Sequence, residues 1–127
     1  MLHIVESKKP LDRVAADLEQ AAIRNKFGVL GVHDLAAKMR EKGVAFAREC
    51  RIVEVCNPQQ AKKVLEANLE ISTALPCRIS VYDEGGTTKL ATLLPTAMLA
   101  MFPNPELRAV AEDVEATILR IMDEAAR

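Results

Sequence analysis

The sequence predicts an α+β domain, a mixed or antiparallel sheet of about five strands with helices packed on one face. Three observations carry that prediction. Residues 48–56 and 77–83 alternate with the two-residue period of a strand, residues 11–26 and 107–125 repeat apolar side chains at three- and four-residue spacing, and two Asn-Pro pairs punctuate the boundaries. Helical crossovers beside a hairpin in one chain favour α+β over a wholly parallel sheet. A length of 127 residues suits one hydrophobic core. No repeat, linker or low-complexity segment divides it, so residues 1–127 are read as a single domain.

Taken in order, His3 to Glu6 is a short strand, with Ser7 as N-cap and Pro10 in the first turn of a helix running to Lys26. Leu11, Val14, Leu18, Ala21 and Ala22 give that helix one apolar stripe. Phe27 to Val32 is a second strand, with a close approach at Gly31. Asp34 caps a short helix that stops at Gly43. Arg48 to Cys56 is a third strand, with Cys50, Ile52, Glu54 and Cys56 on one face and Arg51, Val53 and Val55 on the other.

Asn57-Pro58, with Gln60 three residues after the cap, marks the next helix start. Ala61, Val64, Leu65 and Asn68 form its inner face, and Leu69 to Leu75 reads as a loose last turn. Cys77 to Asp83 and Thr87 to Leu94 make a hairpin around Gly85-Gly86. A short apolar turn through Met98 follows, and Asn104-Pro105 opens the longest helix, with Leu107, Val110, Val114, Ile118, Ile121 and Ala125 on one side. One layer of helices leaves a sheet face uncovered. A second copy is expected to cover it through Val53, Val55, Ile79 and Leu93, giving a homodimer.

Composition narrows the function classes. Seventeen basic and eighteen acidic side chains, net charge -1, leave no electrostatic footprint for nucleic acid. The four aromatic residues, Phe27, Phe46, Phe102 and Tyr82, are too scattered to stack bases. No stretch reads as an export signal or membrane span, and three cysteines do not suggest a disulfide framework. The chain is read as cytoplasmic, with reduced thiols and neither nucleic-acid nor membrane partners.

Three short segments carry a resemblance: Lys26-Phe27-Gly28-Val29-Leu30, Val55-Cys56-Asn57-Pro58 and Leu75-Pro76-Cys77. In this order and spacing the chain resembles the domain of unknown function 302 family, small bacterial and archaeal α+β proteins. The resemblance implies an α+β fold, homodimerisation and no established activity. Two positions depart from the family pattern: Glu54 stands where a small residue is usual, and Leu94 precedes Pro95 where an aspartate is common. If those positions line a site in relatives, it is altered here.

Candidate chemistry centres on Cys56, Asn57 and Cys77. Cys56 ends a strand next to a helix N-cap, where the helix dipole would lower a thiol pKa if the sulfur faced it; otherwise it is a small apolar packing residue. Cys77 matters only as its partner. If the strands carrying Cys56 and Cys77 are antiparallel neighbours the sulfurs can approach, and a right-handed parallel crossover would separate them. Cys50, six residues from Cys56, lies roughly 20 Å off at strand rise. His33, at a strand end before Asp34, is the remaining candidate ligand or base.

Nothing supplies further ligands at zinc spacing, and no Gly-rich phosphate loop or cofactor motif is present. Met98, Met101 and Met122 are read as core fillers rather than soft-metal or haem ligands. Glu112, Asp113, Glu115, Asp123 and Glu124 are read as the solvated side of the last helix. Two readings follow. One is a dimeric module that binds a small molecule or soft metal near Cys56, Asn57 and Cys77; the other is a thiol-dependent redox protein or enzyme with Cys56 reactive and Cys77 its partner.

Overall fold

The computed structural model describes all 127 residues. Strands β1 (Leu2–Ser7), β2 (Gly28–Asp34), β3 (Cys50–Cys56), β4 (Cys77–Glu84) and β5 (Thr87–Leu93) form one sheet in the order β1-β5-β4-β3-β2. Every neighbouring pair is antiparallel. The helices are α1 (Leu11–Arg24), α2 (Leu35–Glu41), α3 (Pro58–Ala67), α4 (Pro95–Leu99) and α5 (Glu106–Ala126), with a 3-10 turn at Leu69–Ala74.

Alternation decides which side chains share a face. Val53 and Val55 lie opposite Ile79 and Cys77, and Val81 lies opposite Leu90. This face meets the apolar stripe of α1 and the Ile118, Ile121, Met122 and Ala125 stripe of α5 in the main core. Val53, Val55 and Ile79 are therefore buried beneath helices and cannot form the dimer surface expected of them. Leu93 has the opposite parity and is 47% exposed. Strand period groups residues by face, but it does not say which face the helices will take.

Val64, Ile71 and Leu107 form a smaller core, with Leu75, Leu99 and Val110 packed against it. It ties α3, the 3-10 turn and α5 together beyond the ends of β3 and β4.

Two expected caps are present: Asp34 Oδ1 accepts from Ala37 N at 3.0 Å, and Asn57 Oδ1 from Gln59 N and Gln60 N at 3.0 and 3.2 Å. Asn104 Oδ1 accepts from Glu106 N at 3.0 Å, but Pro105 occupies the cap position of α5. Ser7 is different. Pro10 occupies the cap position of α1, and the Ser7 hydroxyl donates to Ala126 O at 2.7 Å, tying β1 to the end of α5. Asn68 also leaves its expected inner face and caps the 3-10 turn through Glu70 N. At the hairpin, Gly85 and Gly86 have φ of +63° and +84°, the left-handed pair that a two-residue turn between twisted strands needs.

The acids of α5 are not simply solvated. Asp113 holds Gln60, Glu115 holds Thr96 and Glu124 holds Asn25, so three of the five fasten α5 to neighbouring segments. Their spacing matches a solvent face because tertiary hydrogen bonds leave no periodic signal of their own. Of the methionines, Met122 is buried in the core but Met101 is 72% exposed. No helix is long and apolar enough to cross a membrane.

Candidate functional site

β3 and β4 end side by side, with Val55 opposite Cys77. Directly opposed Cα atoms in such a ladder lie about 4.5–5.5 Å apart, so Cys56 and Cys77 are diagonal neighbours. The antiparallel alternative holds, and the cysteine pair exists. By strand alternation the two belong to opposite faces, yet both line one pocket, because β3 stops at Cys56 and the chain turns into α3. All three cysteines are free thiols.

The pocket lies on the seam between the two cores. Val55, Cys77 and Val114 come from the main-core side; Val64, Leu75 and Val110 come from the smaller one. Helix α4 adds Pro95, Met98 and Leu99. Its empty volume is about 490 Å³ with the open mouth included, but the centres of water-sized spheres can occupy only about 40 Å³. One sphere needs roughly 10–15 Å³. The interior thus has room for a few water molecules, or for the end of an apolar chain.

Eleven of the fourteen lining residues are hydrophobic, and Asn57 and Gln60 each spend one side-chain atom within the protein. Asn57 Oδ1 is spent on the helix start. Gln60 Nε2 donates to Asp113 Oδ2 at 2.5 Å instead of reaching back to the cap as its sequence position suggests. Because a carboxylate only accepts, that bond fixes the amide's orientation. Gln60 Oε1 is left buried with no partner in the protein.

The thiols are weak acids here. Burial pushes Cys77 up to about 11, with a smaller contribution from nearby Cys56. Burial also raises Cys56, which fits the packing alternative and not the lowering that facing the α3 start would bring. The helix N-terminus does not prevail because Asn57 already occupies its free N–H groups and the pocket removes water from the sulfur. Neither shift favours the thiolate, the form in which a cysteine acts as a nucleophile. No group of three or more His, Cys, Asp or Glu side chains comes together to hold a metal.

His33 is not part of this pocket. On β2 its Nε2 lies 2.8 Å from Glu54 Oε1, on the sheet face away from α1 and α5. Arg78 Nε lies 3.7 Å from the other oxygen of Glu54. Gly31 leaves room for this arrangement: a Cβ there would sit 3.2 Å from Glu54 Oε1, a tight contact. Glu54 therefore belongs to the open face and does not line the pocket.

The sequence singled out three pocket residues, Cys56, Asn57 and Cys77. It missed the role of Val64, Val110 and Val114, whose helical spacing signals burial without distinguishing a packed core from a cavity wall. Met98 was visible only as a core filler.

The family model described as Domain of unknown function DUF302 matches residues 3–125. A solved structure described as the crystal structure of uncharacterized conserved protein DUF302 from Bacillus stearothermophilus shares 35% sequence identity with a TM-score of 0.93. The match covers 99% of this chain and 98% of that chain. No curated protein matches the chain.

Proposed function

The chain belongs to the DUF302 family, a domain of unknown function, and from that premise we propose that it is a small-ligand-binding module whose ligand enters the pocket between Cys56, Asn57 and Cys77. The observation that carries this reading is the pocket's position on the seam between two cores, where close packing would otherwise close such a gap. The thiols serve as polarizable, uncharged walls. The buried, unpartnered Gln60 Oε1 supports the reading, since such acceptors are satisfied by water or a ligand group in most proteins. The raised thiol pKa values weigh against a reactive Cys56, and two sulfurs without a third donor weigh against a soft metal.

The module pairs with a second copy through the open sheet face. Leu2, Ile4 and Leu93 are exposed there, an apolar patch that a two-fold mate would cover.

Native mass spectrometry of protein purified from cells without harsh exchange tests the ligand reading. The expected result is a retained small mass that the Ala61→Phe variant, with the pocket filled, does not carry. Absence of any retained mass, together with no methyl shift of Val64 or Met98 on adding short alcohols, would overturn it.

A further inference from the structure

A second cavity lies on the open side of the sheet. Its floor is Ile52, Arg78, Ser80 and Leu93, and Met101 and Phe102 stand over one side. Its empty volume is about 1080 Å³ with open solvent included, so it is a broad groove beside a narrow pocket. Ala74 and Met98 line both cavities. They form the partition, and one side of it is an unbranched methionine, the side chain best able to swing aside without leaving a void.

The two compartments differ in chemistry. The inner pocket offers no charged group. The groove has one cation, Arg78, whose acidic neighbour Glu54 lies 3.7 Å away and is already hydrogen-bonded to His33 at 2.8 Å. The guanidinium is 62% exposed and keeps donors free, in the planar fork that matches a carboxylate. Cys77 and Arg78 are consecutive residues of one strand, so they point to opposite faces, one toward the apolar pocket and one into the groove.

We propose that groove and pocket form one site for a short-chain amphipathic carboxylate, with its head on Arg78 and its alkyl tail passing Met98 to lie against Cys77 and Val64. This rests on the reading of the inner pocket given above and adds the class of ligand. A second copy across the open face would roof the groove and leave Arg78 at its floor.

Calorimetric titration with hexanoate and with 1-hexanol, at low ionic strength, tests the assignment. Hexanoate is expected to bind about tenfold more tightly, the difference one charge-assisted hydrogen bond supplies. Arg78→Gln should bring hexanoate down to the level of hexanol without changing hexanol, and Arg78→Lys should keep part of the preference. Ala61→Phe should weaken both; Val110→Phe fills the pocket from another helix if that variant does not fold. Equal affinity of the two probes in the wild type, or a preference indifferent to Arg78→Gln, overturns the carboxylate assignment. In that case hexanol binding blocked by Ala61→Phe still leaves the inner pocket as a ligand site, whereas no binding of either probe removes both.

Discussion

Glu115 on α5 caps a helix to which it does not belong: its Oε1 accepts from the backbone N–H of Thr96 at 3.1 Å and from the Thr96 hydroxyl at 2.6 Å. Leu94 at the cap position of α4 has no side-chain oxygen to offer, so Glu115 takes that part. This chain supplies the acceptor for α4 from across the structure. The consequence reaches the pocket, since α4 carries Pro95, Met98 and Leu99.

Removing that acceptor by Glu115→Ala should therefore cost about 0.5–2 kcal/mol, the usual range for a lost cap. Restoring a local cap by Leu94→Asp in the same chain should recover much of the loss. Urea midpoints of the two variants check this, and an unrecovered double variant would show that Glu115 acts through something other than the start of α4.

Asn57 is the equivalent device at α3, with two N–H groups on one side-chain oxygen. Asn57→Ala is expected to cost about 0.5–2 kcal/mol whether or not a ligand is present. The measurement is the thermal midpoint with and without hexanol.

Gly31 and Glu54 set the acid response of the open face. The His33 hydrogen bond holds the Glu54 carboxyl below its usual range, with Arg78 adding to it. A depressed folded pKa contributes stability above the unfolded value, about 4.3 for glutamate, and loses it as pH falls through the folded value. Wild type should thus exceed Glu54→Gln in stability near neutral pH by a margin that closes in acid below about pH 4. Gly31→Ala, which puts a Cβ 3.2 Å from Glu54 Oε1, should push the carboxyl back toward its ordinary value. Carbon-detected titration of the glutamates reads both.

Much of the fold was legible because the sequence states it locally. Asp34, Asn57 and Asn104 each carry a side-chain oxygen at a helix start, and Gly85-Gly86 admits few conformations other than the hairpin turn. The orientation of the sheet was not legible. Val53, Val55 and Ile79 alternate as well as Leu93 does, and only the packing of α1 and α5 decides which set is buried. Which of the two readings of Cys56 would hold was not legible for a related reason: a helix start is visible in sequence, but the burial that raises the thiol depends on segments such as α4, far along the chain. Long-range pairs such as Thr96 and Glu115 leave no periodicity to read.

The open face yields a prediction about assembly. Leu93 lies opposite Leu2 on the neighbouring strand, and both are exposed, at 47% and 62%. Sedimentation velocity at micromolar concentration should show a dimer for the wild type. Leu93→Glu places a charge beside its own two-fold image and should give a monomer with an unchanged circular dichroism spectrum. A monomeric wild type, or a dimer indifferent to Leu93→Glu, would move the interface elsewhere.

Slow thiol chemistry is the last expectation, and it separates a ligand-binding pocket from a redox site. With Cys77 pushed up to about 11 and Cys56 raised, the thiolate fraction at neutral pH is small for both, and the reacting species is the thiolate. Iodoacetamide at pH 7.5 should modify both far more slowly than it modifies a free cysteine in a peptide. The rate should climb with pH and become ordinary in urea. Because the pocket is shared, hexanol should slow modification of Cys56 and Cys77 further and leave Cys50, at the far end of β3, unaffected. Fast modification of Cys56 in the Cys77→Ala variant would show that its sulfur is both accessible and ionised, and would put the redox reading ahead of the binding one.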